Sequence, residues 1–438
     1  MSIPSVISTV VVVLYNMADL IFVGLAKDPV QTAAVSLSST VLLSFFAVNN
    51  LFGVGASTMV SRSLGKKETD TAKRAAAFGF WMALICAVLI AGGYTLGKNG
   101  VLRLIGADET TYTATARYLF WTVSLGAPPA ILSVVLSHLL RSEGEATHAS
   151  IGVTIGCVLN MILDPFFVLP RFLGMGAAGA GLCSMLGNST AALYLLCVVF
   201  AKRKTTVVCL NPRYFGFRRD IVKEVFTVGV PAAIQNLLNV ASSTVLFKLT
   251  SAYGAAAVSA MGVAHRISEL PTYLAQGAGQ GVMPLVGYNY AAGNKKRARD
   301  SVRLVMKIGL GASVAILAYI LGMARLLIML FINDPKVVAI GKIILREMIL
   351  LAPFSIVDFL AVGVYQAIGK GGYSLGYAVL RKLLLEIPAL LLLNHIYPLY
   401  GMGFAAPVAE FVMCIVSFVL LRRIFSEKTA AAPIPPVE

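Results

Sequence analysis

Cys157-Val-Leu-Asn-Met-Ile-Leu-Asp-Pro-Phe-Phe-Val-Leu169 sets an amide and a carboxylate, Asn160 and Asp164, into an otherwise apolar run. Four residues apart, they share one face of an α-helix about one turn from each other, so both can point at the same small ligand. Asp19 stands in the same predicament within Val10-Val-Val-Val-Leu-Tyr-Asn-Met-Ala-Asp-Leu-Ile-Phe-Val23. An ionised Asp at bilayer depth costs about 2.5–3.5 kcal/mol on insertion scales, so such residues face a cavity and carry function. Read as membrane spans, these two runs decide the fold. The rest of the chain is then the helical scaffold that brings them together.

Working outward, the composition agrees with that reading. Of the 438 residues 58% are hydrophobic and 13% charged, whereas soluble domains carry about 25% charged residues. The chain divides into roughly twelve apolar runs of span length, the first at Ile3–Val23 and the last at Gly403–Leu421. The expected fold class is an all-α membrane protein of twelve transmembrane helices. The net charge of +16 comes from Lys and Arg placed between apolar runs rather than on one basic face with interleaved aromatics, which argues against nucleic acid as a partner. Basic residues fill alternate loops, at Arg62–Arg74, Lys202–Lys223, Lys295–Arg303 and Arg422–Lys428. The positive-inside rule then puts both termini in the cytoplasm, which requires an even number of spans. The first run has no basic n-region and is interrupted by Asp19, which argues against a cleaved signal peptide.

The six cysteines are scattered singly, with no CxxC pair, and support neither a disulfide framework nor a zinc site. The four histidines form no HExxH, and there is no Walker motif. An enzyme, an ATP-driven pump and a resident cofactor are therefore not expected.

Shifted against itself by about 225 residues, the chain matches along its whole half-length. Ala33-Ala-Val-Ser36 meets Ala256-Ala-Val-Ser259, Ile105-Gly-Ala-Asp108 meets Phe331-Ile-Asn-Asp334, Ala127-Pro128 meets Ala352-Pro353, and Gly174-Met-Gly176 meets Gly401-Met-Gly403. The expected organisation is an N-terminal lobe over 1–201, a cytoplasmic linker over 202–223, a C-terminal lobe over 224–424 and a disordered, Pro-rich tail over 425–438. Two six-helix halves of like orientation suit alternating access, in which one half rocks against the other.

The acids break this symmetry. Asp19 falls opposite Leu246 and Asp164 opposite Ile387, whereas a purely structural carboxylate would more plausibly appear in both halves. Tyr15 and Asn16 lie about one turn before Asp19 and add a phenol and an amide to the same wall. Carboxylates, amide oxygen and hydroxyl are hard donors suited to a bare Na⁺ or to holding a proton. The competing structural reading makes Asp164 the cap of a helix broken at Pro165.

The sequence resembles the multidrug and toxic compound extrusion (MATE) transporters. The likeness rests on Tyr15-Asn-Met-Ala-Asp-Leu-Ile-Phe-Val-Gly24, on Arg141-Ser-Glu-Gly-Glu-Ala-Thr-His148 leading into Leu159-Asn-Met-Ile-Leu-Asp-Pro165, and on Gly277-Ala-Gly-Gln-Gly-Val-Met-Pro-Leu-Val-Gly-Tyr-Asn289. The resemblance implies a coupling-cation site in the N-terminal lobe at Asp19, Asn160, Asp164 and Ser184, the last a threonine in typical members. It implies a hinge proline at Pro4 and a drug-cavity tyrosine at Tyr15, with Asn16 beside it. Other members carry a glutamate in the seventh helix, where this chain has Asn239 or a neighbour. Asp358 resembles their C-lobe aspartate, which implies a second ion site or the substrate cavity, against the competing reading of an Asp shielded by neighbouring helix ends. Glu269, Glu386 and Glu410 are expected to pair with Arg266, Arg381 and Lys382.

The function so implied is secondary multidrug efflux across a bacterial inner membrane, with organic cations exchanged for H⁺ or Na⁺, no cofactor, and a monomer as the default. The alternative within the same superfamily is a flippase for lipid-linked saccharides. It would need Arg266, Arg381 and Lys382 on the wall of the central cavity.

Overall fold

Asp108 and Asp334, equivalent in the repeat, play the same part in both halves. Asp108 Oδ1 accepts from the Thr111 amide at 2.9 Å, and Asp334 Oδ1 from the Lys336 amide at 2.8 Å. Each satisfies a backbone donor left without a partner at a helix start. Hydrogen bonds from Thr111 and Thr110 also hold the Asp108 carboxyl down at about 2.

The computed structural model describes residues 4, 5, 7–12, 15, 22, 28–332 and 334–426. The first segment, α1, is helical at each of its described positions, residues 4, 5, 7–12, 15 and 22. It is followed by α2 (Val30–Gly65), α3 (Thr69–Leu104), α4 (Tyr112–Leu125 and Ala127–Ser142), α5 (Ala146–Val168) and α6 (Ala177–Ala201). The second half contains α7 (Arg219–Ser251), α8 (Ala255–Ala291), α9 (Lys295–Phe331), α10 (Pro335–Ala367), α11 (371–396) and α12 (Tyr400–Phe425). Among the described residues these are twelve helical segments and no strand. Eight are long and apolar enough to cross a membrane by themselves, nine with the two arms of α4 counted as one span.

The irregularities follow the sequence. The arms of α4 meet at 50° where Pro128 and Pro129 lack amide donors. The repeat partner Ala352-Pro353 interrupts α10 with a 3₁₀ turn at Ala352–Phe354.

One hydrophobic cluster draws on residues from Ala34 to Val225, and two others on residues from Val228 to Ile424 joined by Val54. The halves meet at the end that carries the basic loops. There α2 and α7 approach so closely that a Cβ at Gly229 would overlap the Leu51 carbonyl. Arg62 of α2 crosses the seam: its Nη1 donates to the Ala367 carbonyl at 3.2 Å and its Nη2 to Glu224 at 2.9 Å. A cation is thus set against the negative end of α10.

The segment after α6 is docked on the first half. Glu143 accepts from the Thr206 hydroxyl and the Val207 amide, both at 2.7–2.8 Å. Burial pushes the Glu143 carboxyl up despite these bonds. Lys202 pairs with Glu145, the Trp81 indole donates to the Leu210 carbonyl, and Phe215 stacks on Phe78.

Candidate functional site

Two glycines bring α5 and α6 into backbone contact. A Cβ at Gly156 would stand 2.7 Å from the Gly187 carbonyl oxygen, and a Cβ at Gly187 would stand 2.6 Å from that of Gly156. One turn further along α5, this places the Asn160 amide beside Ser184: Nδ2 donates to Oγ at 3.3 Å. Tyr15 of α1 meets the same hydroxyl, 3.2 Å from oxygen to oxygen. Three helices therefore converge on Ser184. Asn160 is 1% exposed, Asp164 0% and Ser184 9%.

Asn160 Oδ1 is buried and accepts no hydrogen bond among the described residues. An unpaired buried carbonyl costs about 1–3 kcal/mol, so it marks a place where a ligand can repay that loss. Pro165 adds a second free acceptor by leaving the Met161 carbonyl without its helical donor. The helix does not break there. It runs on to Val168, so Asp164 lies inside α5 and is not the cap of a broken helix.

Of the other residues singled out in sequence, Pro4 is helical and half-buried in α1. Asp19 and Asn16 lie outside the described residues. Asp358 sits in a buried ion-pair network. It is 1% exposed, and Arg381 Nη1 meets its Oδ2 at 3.1 Å while Ser417 approaches Oδ1. The same guanidinium holds Glu410 at 2.9 Å and lies over the Phe359 ring. Lys382 pairs with Glu386 at 2.7 Å, and the Ser242 hydroxyl donates to Glu386. The π turn Val379–Glu386 in α11 carries three members of this network. With Arg381 and Lys382 both neutralised by acids, the cation-lined wall that a pyrophosphate-bearing lipid requires is not assembled from them.

Glu269 departs from expectation, since it forms no salt bridge with Arg266 among the described residues. It lines an open groove between α7 and α8 together with Asn239, Ser243, Thr244 and Phe247. Where the seventh helix lacks a carboxylate, the eighth thus provides one nearby. The sequence signal for this was only an acid in a span. The helix pairing that joins it to Asn239 is tertiary.

The MatE family model matches the chain twice, over residues 4–166 and 231–392. The chain therefore belongs to the MatE family, whose members are membrane transporters and not enzymes. Among its relatives is "Multidrug export protein MepA" of Staphylococcus aureus (strain MSSA476), 27% identical over 421 residues, 96% of this chain and 92% of the relative. Two solved structures share its fold at 26% identity and a TM-score of 0.90. They are "Crystal structure of MATE in the straight conformation", with 97% of this chain and 95% of that one covered, and "Outward-facing conformation of a multidrug resistance MATE family transporter of the MOP superfamily", with 97% and 94% covered.

Proposed function

We propose that the protein is a secondary active multidrug exporter of the inner membrane, both termini cytoplasmic, that exchanges organic cations for H⁺ or Na⁺ as a monomer by alternating access. One observation carries this reading: an unsatisfied amide oxygen on Asn160, whose carboxamide meets Ser184 and through it Tyr15 inside one lobe, with the fully buried carboxylate of Asp164 one turn along the same helix. Oxygen donors in a dry pocket suit a bare Na⁺. A buried carboxylate also suits a proton, which neutralises its charge. The family resemblance adds Asp19 as a second acid, and two carboxylates held close together would repel when both are charged, so such a pair would respond to either ion.

A drug cation arriving at these acids neutralises the charge that the coupling ion neutralises. If the two ligands favour opposite arrangements of the lobes, occupancy by one drives release of the other. Tyr15 gives the first lobe a ring for aromatic or cationic guests, and the groove with Phe247, Lys248 and Glu269 gives the second a ring beside an acid and a base.

The test is efflux of a cationic dye from proteoliposomes under a pH gradient alone, then a Na⁺ gradient alone. One or both gradients should drive export by the wild-type chain. Asp164→Asn and Asp19→Asn should each abolish it with normal incorporation, and Ser184→Ala should weaken it mildly. Wild-type export by both Asp variants would remove the acids from the mechanism.

A further inference from the structure

Arg141 lies in the last turn of α4, 6% exposed, on the seam between the lobes. Among the described residues no carboxylate pairs with it, and its hydrogen bonds are long. Nη1 donates to Gln280 Oε1 at 3.4 Å, Nη2 to Ser8 Oγ at 3.3 Å, and Nε–H finds no acceptor. Of the buried acids of the other lobe, Asp358, Glu386 and Glu410 are taken by Arg381 and Lys382, and Glu347 lies against Gly403. A buried guanidinium with so thin a shell carries a desolvation cost that its neighbours do not repay.

Beside it is a small chamber, lined by Ser57, Thr58 and Ser61 of α2, His138 and Arg141 of α4, and Gln280, Met283 and Pro284 of α8, so that polar groups meet apolar side chains there. The three hydroxyls donate to backbone carbonyls: Ser57 to Val54, Thr58 to Gly55 and Ser61 to Ser57. Among the described residues the donor without a partner is Arg141 Nε–H, and the Gln280 carboxamide and the His138 ring line the same chamber. A fixed positive charge with neutral N–H groups around it excludes a metal cation and suits an anion. The chamber is about the size of one water, which limits that anion to a small one.

We propose that this chamber binds one chloride-sized inorganic anion between Arg141 and Gln280, and that the anion clasps the lobes together at the basic end. Arg141 and His138 belong to the first lobe and Gln280 to the second, so separating the lobes takes the donors apart. The anion therefore binds the closed arrangement better than the open one and stabilises it by that difference. It is a structural ligand of the seam, separate from the coupling ion at Asn160 and Asp164.

The experiment uses the purified full-length chain in gluconate buffer at constant Na⁺ and ionic strength, titrated with chloride and followed by calorimetry and by thermal unfolding. One saturable chloride per chain should raise the unfolding midpoint, and gluconate should not. Gln280→Glu places a carboxylate beside the guanidinium in the anion's stead. It should unfold at or above the wild-type midpoint without chloride and bind chloride about tenfold more weakly or worse. Arg141→Gln should lose chloride binding altogether, and if that variant fails to fold, Gln280→Glu decides alone. The proposal is overturned if the wild-type chain shows no saturable response to chloride, or if Gln280→Glu retains full affinity.

Discussion

At the scale of residues, the repeat separates two uses of aspartate. Asp108 and Asp334 occur in both halves and cap helices, a task every lobe of this shape must solve twice. Asp164 has no acidic counterpart and lies inside a helix among groups that can hold an ion. That distinction was legible in sequence. The partner of Asp358 was not, because Arg381 is on another helix and only packing brings guanidinium and carboxylate to 3.1 Å. Removing the cation from this pair leaves two buried acids without a counter-charge, so Arg381→Met should destabilise the second lobe by about 3–5 kcal/mol. The triple variant with Asp358→Asn and Glu410→Gln should recover most of the loss. Thermal unfolding in detergent reads both, and an unchanged midpoint for Arg381→Met would show that the network carries no net charge to balance.

At the scale of elements, the prolines illustrate what local pattern can and cannot say. Ala127-Pro128 and Ala352-Pro353 interrupt their helices, whereas Pro165 stays inside α5 at the loss of one hydrogen bond. The chain has 39 glycines, and nothing local marks Gly156 and Gly187 as the pair that seats the site. Their role comes from the partner backbone each one meets. Gly156→Val should wedge α5 from α6, cost about 1–3 kcal/mol by overpacking, and abolish ion-coupled export because Ser184 moves away from Asn160. Gly92→Val in α3, where a Cβ meets nothing within 4 Å, is the control and should export normally. Equal export by the two variants would detach the helix seam from the site.

For the whole molecule, alternation of basic loops and the internal offset were enough to give two like halves in a membrane. They say nothing about how the halves close. Closure at the basic end rests on contacts between distant stretches of chain: Arg62 against the end of α10 and Glu224, and the glycine approach of α7 to α2. Charge-assisted bonds of this kind contribute about 1.5–3 kcal/mol. Arg62→Ala should therefore raise the population open at that end about tenfold. In a chain freed of its six native cysteines, Ser57→Cys, buried at the seam, should then react about tenfold faster with a membrane-impermeant thiol reagent from the basic side. An unchanged rate would mean that the seam is held by packing alone.

The sequence by itself determined the twelve-helix plan, the two-fold repetition and which carboxylates stand out, because hydrophobic run length, loop charge and the cost of an ionised group in lipid are properties of short stretches. Only the tertiary structure decided that Tyr15 meets Ser184, that Asp358 is neutralised, that Glu269 stands beside Asn239 and that, among the described residues, no carboxylate pairs with Arg141 at the seam. Each of these depends on which helices touch and at what register, and that is fixed by packing between segments far apart in the chain.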